Sequence, residues 1–119
     1  MNKTICLDFD GVIHSYISGW QGETNIPDPP TSGCRETICT LRARGLKIVV
    51  HSTRCQTPDG RSAIKDYLAR HDIEVDEICE HKPPAILYID DRAIQFTGNW
   101  SETIASMDKF THWLGNNKI

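Results

Sequence analysis

The chain has 119 residues, 39% of them apolar and 24% charged, a balance that fits one globular domain over 1–119 and leaves disordered and fibrous classes without support. A net charge of −3 and a pI near 5.9 argue against a dedicated nucleic-acid binder, which would carry a basic field over one face. No apolar run approaches a membrane span and the first residues lack the apolar core of a signal peptide, so a cytoplasmic protein is expected.

Thr4 to Phe9 is an apolar run ended by carboxylates and predicts a first strand. The segment 14–30, rich in Gly, Ser, Pro and aromatic residues, interrupts the pattern and reads as a hairpin or flap that hangs over the end of that strand. Pro29-Pro30-Thr31-Ser32 is a start signal for a helix carrying Cys34, Ile38, Leu41 and Ala43, and Gly45 is its stop. Leu46 to Val50 predicts the next strand, and Ile64, Tyr67, Leu68 and His71 the next helix. Ile73 to Glu80 predicts a short strand, Ala85 to Ile89 a buried one and Ile94 to Phe96 another short one. A final helix is expected from Ser101, as N-cap, through Ile104, Met107, Phe110 and Leu114. Continuous apolar runs are the mark of strands covered on both faces, and their alternation with helices implies an α/β, Rossmann-like fold with a mainly parallel sheet. Ligands of such sheets bind beyond the carboxyl ends of the strands.

Four fragments fall at those ends. Asp8-Phe9-Asp10-Gly11 places two acids two residues apart, on one face if the strand continued, before a Gly at which the backbone can bend around a bound group. One acid can attack while the other handles protons. Asp90-Asp91 is a second acidic cluster, and clustered carboxylates repel unless a cation or proton resolves them. Mg2+ suits two or three carboxylates plus substrate phosphate, with Asp8 and Asp91 as the expected pair and Asp90 in support. Ser52, with neighbouring Thr53, supplies a hydroxyl and backbone donors, and Lys82 a point charge for phosphate. Arg54 and Arg92 either bind substrate phosphate or orient the acids, and Trp20 either contacts a ligand or anchors the flap. His14 and His81 adjoin the motifs and are candidates to touch substrate. His71 and His112 read as helix-face residues, and the histidines show no zinc spacing. The acids Glu74, Asp76, Glu77 and Glu80 lie on an ordinary polar stretch. The five cysteines form no close pair and read as reduced thiols.

Taken as a set, Asp8-x-Asp10-Gly11, an apolar run ending in Ser52, Lys82 and the pair Asp90-Asp91 resemble the haloacid dehalogenase superfamily, from Ile5 to Arg92. The spans between the motifs leave room for a flap but for no inserted domain, so the chain is similar to the cap-less members, including short phage and bacterial hydrolases. Ser52-Thr53-Arg54 and Asp90-Asp91-Arg92 also look like the phosphatase half of bacteriophage polynucleotide kinase, where an equivalent Arg serves the active site. The resemblance implies that Asp8 is nucleophile and metal ligand and that Asp10 is general acid and base with its backbone carbonyl on the metal. Ser52 and Lys82 would bind phosphate, and Asp91, supported by Asp90, would hold Mg2+. An acid at Asp10 favours phosphomonoester hydrolysis over dehalogenation.

The expected activity is therefore Mg2+-dependent hydrolysis of a small phosphate ester, a nucleotide preferred, through an aspartyl phosphate bound by Asp8, Asp10, Gly11, Ser52, Thr53, Arg54, Lys82 and Arg92 with Trp20. A nucleic-acid 3′-phosphate is the second choice of substrate. A phospho-accepting receiver domain uses similar residues on an α/β sheet but puts its acidic pair first, and a non-catalytic binding module has no use for clustered acids. The oligomeric state is left open.

Overall fold

The computed structural model of the protein describes residues 3–110, within which the first two apolar runs become the inner strands of a parallel sheet. β1 (Thr4–Leu7) lies between β2 (Lys47–His51) and β4 (Leu87–Ile89), and β3 (Glu77–Cys79) flanks β2. The order is β3-β2-β1-β4, with every pair parallel. α1 (Cys34–Ala43) carries the chain from β1 to β2, and α2 (Pro58–Arg70) carries it from β2 to β3. Successive strand side chains point to opposite faces. Ile5, Leu7, Ile48 and Val50 accordingly join Phe9, Ile13, Ile38, Ile64, Tyr67 and Leu68 in the main core, whereas Cys6 and Val49 join Cys79 and Ala85 in a smaller cluster.

Local chemistry sets the helix ends. Pro58 opens α2 and the Thr57 hydroxyl accepts the Gly60 N–H at 3.1 Å, a capping arrangement. α1 has no side-chain cap: Thr31, part of its predicted start signal, donates instead to the Val12 carbonyl at 2.6 Å and so ties down the base of the flap. The acids given no role are absorbed by ion pairs, Arg42 with Glu74 and Asp76 and Lys47 with Glu77. All five cysteines are free thiols.

The C-terminal third departs from the sequence expectation. Ala85 to Ile89 reads as a doubly covered strand, yet Leu87 is 51%, Tyr88 43% and Ile89 39% exposed. β4 is an edge strand, and the helix that follows it buries none of its residues, so the face coverage that the apolar run implies is not supplied from there. Ile94 to Phe96 forms no strand. α3 (Trp100–Lys109) begins one residue before the expected cap, because the Asn99 side chain, rather than Ser101, accepts the Glu102 N–H, and it buries none of its residues. Leu114 and His112 lie outside the described residues. No helix among the described residues is long and apolar enough to cross a membrane.

The segment 14–30 is a loop closed at its base by an isolated antiparallel bridge between His14 and Pro30. Inside it the Asp28 carboxylate accepts the Ser18 N–H and hydroxyl, each at 2.7 Å.

Candidate active site

The sheet delivers three of the four motifs to one edge. The Asp8 N–H donates to the Ile89 carbonyl at 2.9 Å, which extends the β1–β4 ladder one residue and sets Asp8 beside the acids that follow β4. Asp8, Asp90 and Asp91 each offer a carboxylate oxygen, and those oxygens lie within 4.8 Å of one another. The turn after Asp10 completes the enclosure: Gly11 has φ +86°, and a Cβ there would overlap the Asp91 carboxylate. Burial pushes the Asp8 carboxyl up to about 7, opposed by its hydrogen bond from the Phe9 N–H and reinforced by the charges of Asp90, Asp91 and Asp10. A buried carboxylate with two others in reach of it fits a hard divalent cation such as Mg2+.

That shift gives a testable pH dependence. Because the folded-state pKa of Asp8 is raised above the ordinary 3.8 to about 7, the stability contributed by its protonated form is complete below about pH 4 and lost as pH rises through 7. A cation that replaces the proton restores it. The rise in Tm on adding Mg2+ should therefore be larger at about pH 8 than at about pH 5, and thermal scans showing the same rise at both would remove Asp8 from the ligand set.

Asp10 does not join this cluster. Its carboxylate faces inward, where Arg54 Nε donates to Oδ2 at 2.8 Å and Arg54 Nη2 to Oδ1 at 3.2 Å. His14 Nδ1 lies 2.8 Å from Asp10 Oδ1, while His14 Nε2 accepts the Asp28 N–H at 3.1 Å. The second contact assigns the ring proton to Nδ1, so His14 donates to Asp10. Fully buried, His14 supports the acid and is not placed to touch substrate.

A cavity of about 310 Å³ opens above the acids, lined by Asp8, Asp10, Tyr16, Trp20, Ser52, Thr53 and Arg92. Ser52 is extended and buried, and its hydroxyl accepts the Arg54 N–H at 3.2 Å at the start of a 3-10 turn (Thr53–Gln56). With that bond accepted, its own O–H is left to donate. Arg92, exposed, follows a turn closed by its N–H to Asp90 Oδ1 at 2.9 Å. Trp20 is 55% exposed and lies over the Arg54 guanidinium at 4.6 Å, so it both packs on the body and faces the cavity.

Lys82 is the motif residue not brought in. It is exposed and its ammonium lies 4.5 Å from the Tyr88 ring, outside the cavity lining, on a segment held by the Tyr88 hydroxyl donating to the Pro83 carbonyl at 2.6 Å. His81 is also exposed and does not line the cavity. Arg54, 1% exposed, holds Asp10 rather than lining the cavity. Tyr16 was given no role by its sequence position, yet it lines the cavity from a left-handed backbone, φ 61°, which a non-glycine residue rarely adopts. The signal available for it was an aromatic residue in a Gly-rich segment six positions after Asp10.

No protein-family model matches the chain, and no curated protein does. Among solved structures it is similar to a conserved protein of Bacteroides thetaiotaomicron, at 27% identity over 89% of this chain and 88% of that one, with a TM-score of 0.57. It is also similar to a target protein of Vibrio cholerae, at 22% identity over 87% of this chain and 94% of that one, with a TM-score of 0.52. Neither description names an activity. Both likenesses agree with an α/β fold built on a four-stranded parallel sheet.

Proposed function

We propose that the chain is a cap-less phosphomonoester hydrolase of the haloacid dehalogenase type, dependent on Mg2+ and acting on a nucleotide or similar small phosphate ester. The observation that carries the reading is the meeting of Asp8, Asp90 and Asp91 at the carboxyl edge of a parallel sheet, with Asp8 also lining a cavity shared with Asp10 and Ser52. Asp8, Asp90 and Asp91 would hold Mg2+, which supplies positive charge to offset the oxygens of the transferring group.

Asp8 attacks phosphorus in line, forming the acyl phosphate as the P–O bond to the leaving group breaks, and Asp10 gives that oxygen a proton. Asp10 then takes a proton from water, whose oxygen displaces the Asp8 carboxylate from phosphorus. Ser52 donates to a phosphate oxygen, and Arg92 adds charge from the rim. Release of inorganic phosphate from nucleotides, sugar phosphates and 3′-phosphorylated oligonucleotides with Mg2+ tests the reading, joined to mass spectrometry of the quenched enzyme. Multiple turnover with short-lived phosphate on Asp8 is expected. Stable phosphate on Asp90 or Asp91 without turnover would replace the hydrolase by a receiver-like domain.

The aromatic wall of Tyr16 and Trp20 supports a ring-bearing leaving group. Trp20→Ala should cost roughly 1 to 3 kcal/mol in kcat/KM for a nucleotide, the scale of base stacking on an aromatic ring, and little for a ring-free ester such as glycerol phosphate. An equal loss on both would mean that Trp20 acts through Arg54 beneath it and would leave the nucleotide preference unsupported.

A further inference from the structure

A guanidinium taken out of water must have its donors met, and Arg54 divides its donors between two parts of the protein. Nε and Nη2 form a two-pronged contact with the Asp10 carboxylate at 2.8 and 3.2 Å, which fixes the plane of that acid. On the other side, Nη1 donates to the flap carbonyls of Gly22 at 2.9 Å and Glu23 at 2.8 Å. Trp20 of the same flap covers the guanidinium. The Glu23 side chain meets the Thr57 hydroxyl, so the flap is seated beside the 3-10 turn that carries Arg54. A structural ion pair needs only the carboxylate, and a flap anchor needs only the carbonyls. One rigid planar group serves both, so lifting the flap strips Nη1 of its acceptors, admits water to the guanidinium and releases the constraint on Asp10.

We propose that Arg54 couples the seating of the flap to the placement of the Asp10 carboxylate, making it a positioning residue that readies the proton-handling acid only when residues 22–25 are seated on its guanidinium. The catalytic half of this inference rests on the hydrolase reading above; the mechanical half does not. Coupling is reciprocal, so disturbing Asp10 must loosen the flap as surely as disturbing the flap loosens Asp10.

Hydrogen exchange of the flap amides of Ser18, Gly19 and Asn25, each hydrogen-bonded within the flap, reads the mechanical half without any substrate. Asp10→Asn should speed their exchange roughly tenfold or more, the scale of losing a charge-assisted hydrogen bond, while amides of β1 and β2 stay protected. Arg54→Lys, which keeps the charge and loses the fork, should do the same. Unchanged exchange at Asn25, whose N–H meets the Gly22 carbonyl that Arg54 also holds, overturns the coupling in a folded Asp10→Asn variant, and this amide decides alone if Arg54→Lys does not fold, because Ser18 also answers to Asp10 through His14 and Asp28.

The catalytic half is read by leaving-group dependence with Mg2+ present. Arg54→Lys should lose roughly tenfold more kcat on an alkyl phosphate, whose poor leaving group needs the proton from Asp10, than on nitrophenyl phosphate, which departs without one. Equal losses on the two esters would make Arg54 merely structural. If the unaltered protein hydrolyses neither ester, the hydrolase reading falls, while the exchange measurement still judges the link between Asp10 and the flap.

Discussion

Asp8→Asn is expected to lower kcat by about 10⁴-fold or more, the scale seen when a covalent nucleophile is removed and only binding and charge stabilisation remain. The same substitution should leave the fold intact and its metal-free stability at about pH 8 equal to or above that of the unaltered protein. Asp8 is half-buried between other acids, and burial first and those charges next hold its carboxyl at about 7, so above that pH the folded protein carries an anion it would rather not hold. An amide of nearly the same shape removes that anion at every pH. Mg2+ should correspondingly raise the Tm of the variant less than that of the unaltered protein. Loss of turnover with retained Tm identifies a chemical role; loss of turnover with a lowered Tm would say that Asp8 holds the strand ends together and would leave the nucleophile unassigned. Substantial phosphatase activity in the pure variant would reject the aspartyl-phosphate route outright.

The arrangement separates two tasks that adjacent acids could have confused. Asp8 turns toward Asp90 and Asp91, where a cation fits, and Asp10 turns toward Arg54 and His14, which are donors. Phe9 between them is fully buried against Tyr67 at 5.2 Å between ring centroids, edge to face, which pins the bend at which the chain leaves the sheet. One carboxylate is thus committed to the cluster and its neighbour to the donor network, by packing rather than by any difference in residue type.

Much of this was legible in the sequence, for a physical reason. Two strands covered on both faces must be apolar throughout, so Ile5 to Leu7 and Ile48 to Val50 declare themselves, and helices packed on one face must show a three-to-four spacing, as Ile64, Tyr67 and Leu68 do. Once the sheet is parallel, acids that follow strands meet at one edge, and Asp8, Asp90 and Asp91 do meet. What the sequence withheld depends on partners distant along the chain. Arg54 could not be assigned to Asp10 and the Gly22 and Glu23 carbonyls from its spacing, since a long side chain reaches several groups and burial selects among them. Lys82 has a sequence position suited to phosphate, yet its flexible stem lets the ammonium rest over the Tyr88 ring. His14 shows the same limit from the opposite side, its place next to the motif suggesting substrate and its complete burial making it a support for Asp10.

Gly11→Ala should damage the site although it removes no functional group. At φ +86° a Cβ costs roughly 1 kcal/mol in backbone strain, and here it would also overlap the Asp91 carboxylate. Either the turn or Asp91 must move, and both movements break the set of oxygens shared by Asp8, Asp90 and Asp91. Activity with Mg2+ should fall by roughly 100-fold or more, the penalty for about 1 Å of misplacement at a reacting centre. Calorimetric titration should show a matching loss of Mg2+ affinity. Gly19→Ala is the control, because Gly19 has a similar backbone, φ +70°, with nothing within 4 Å of the added Cβ. It bears the strain without the collision. If the two variants lose Tm alike but only Gly11→Ala loses Mg2+ binding, the contact between the first acidic turn and Asp91 is what assembles the cation site. If both lose Mg2+ binding to the same extent, backbone strain alone accounts for the effect, and the glycine serves the turn rather than the cluster.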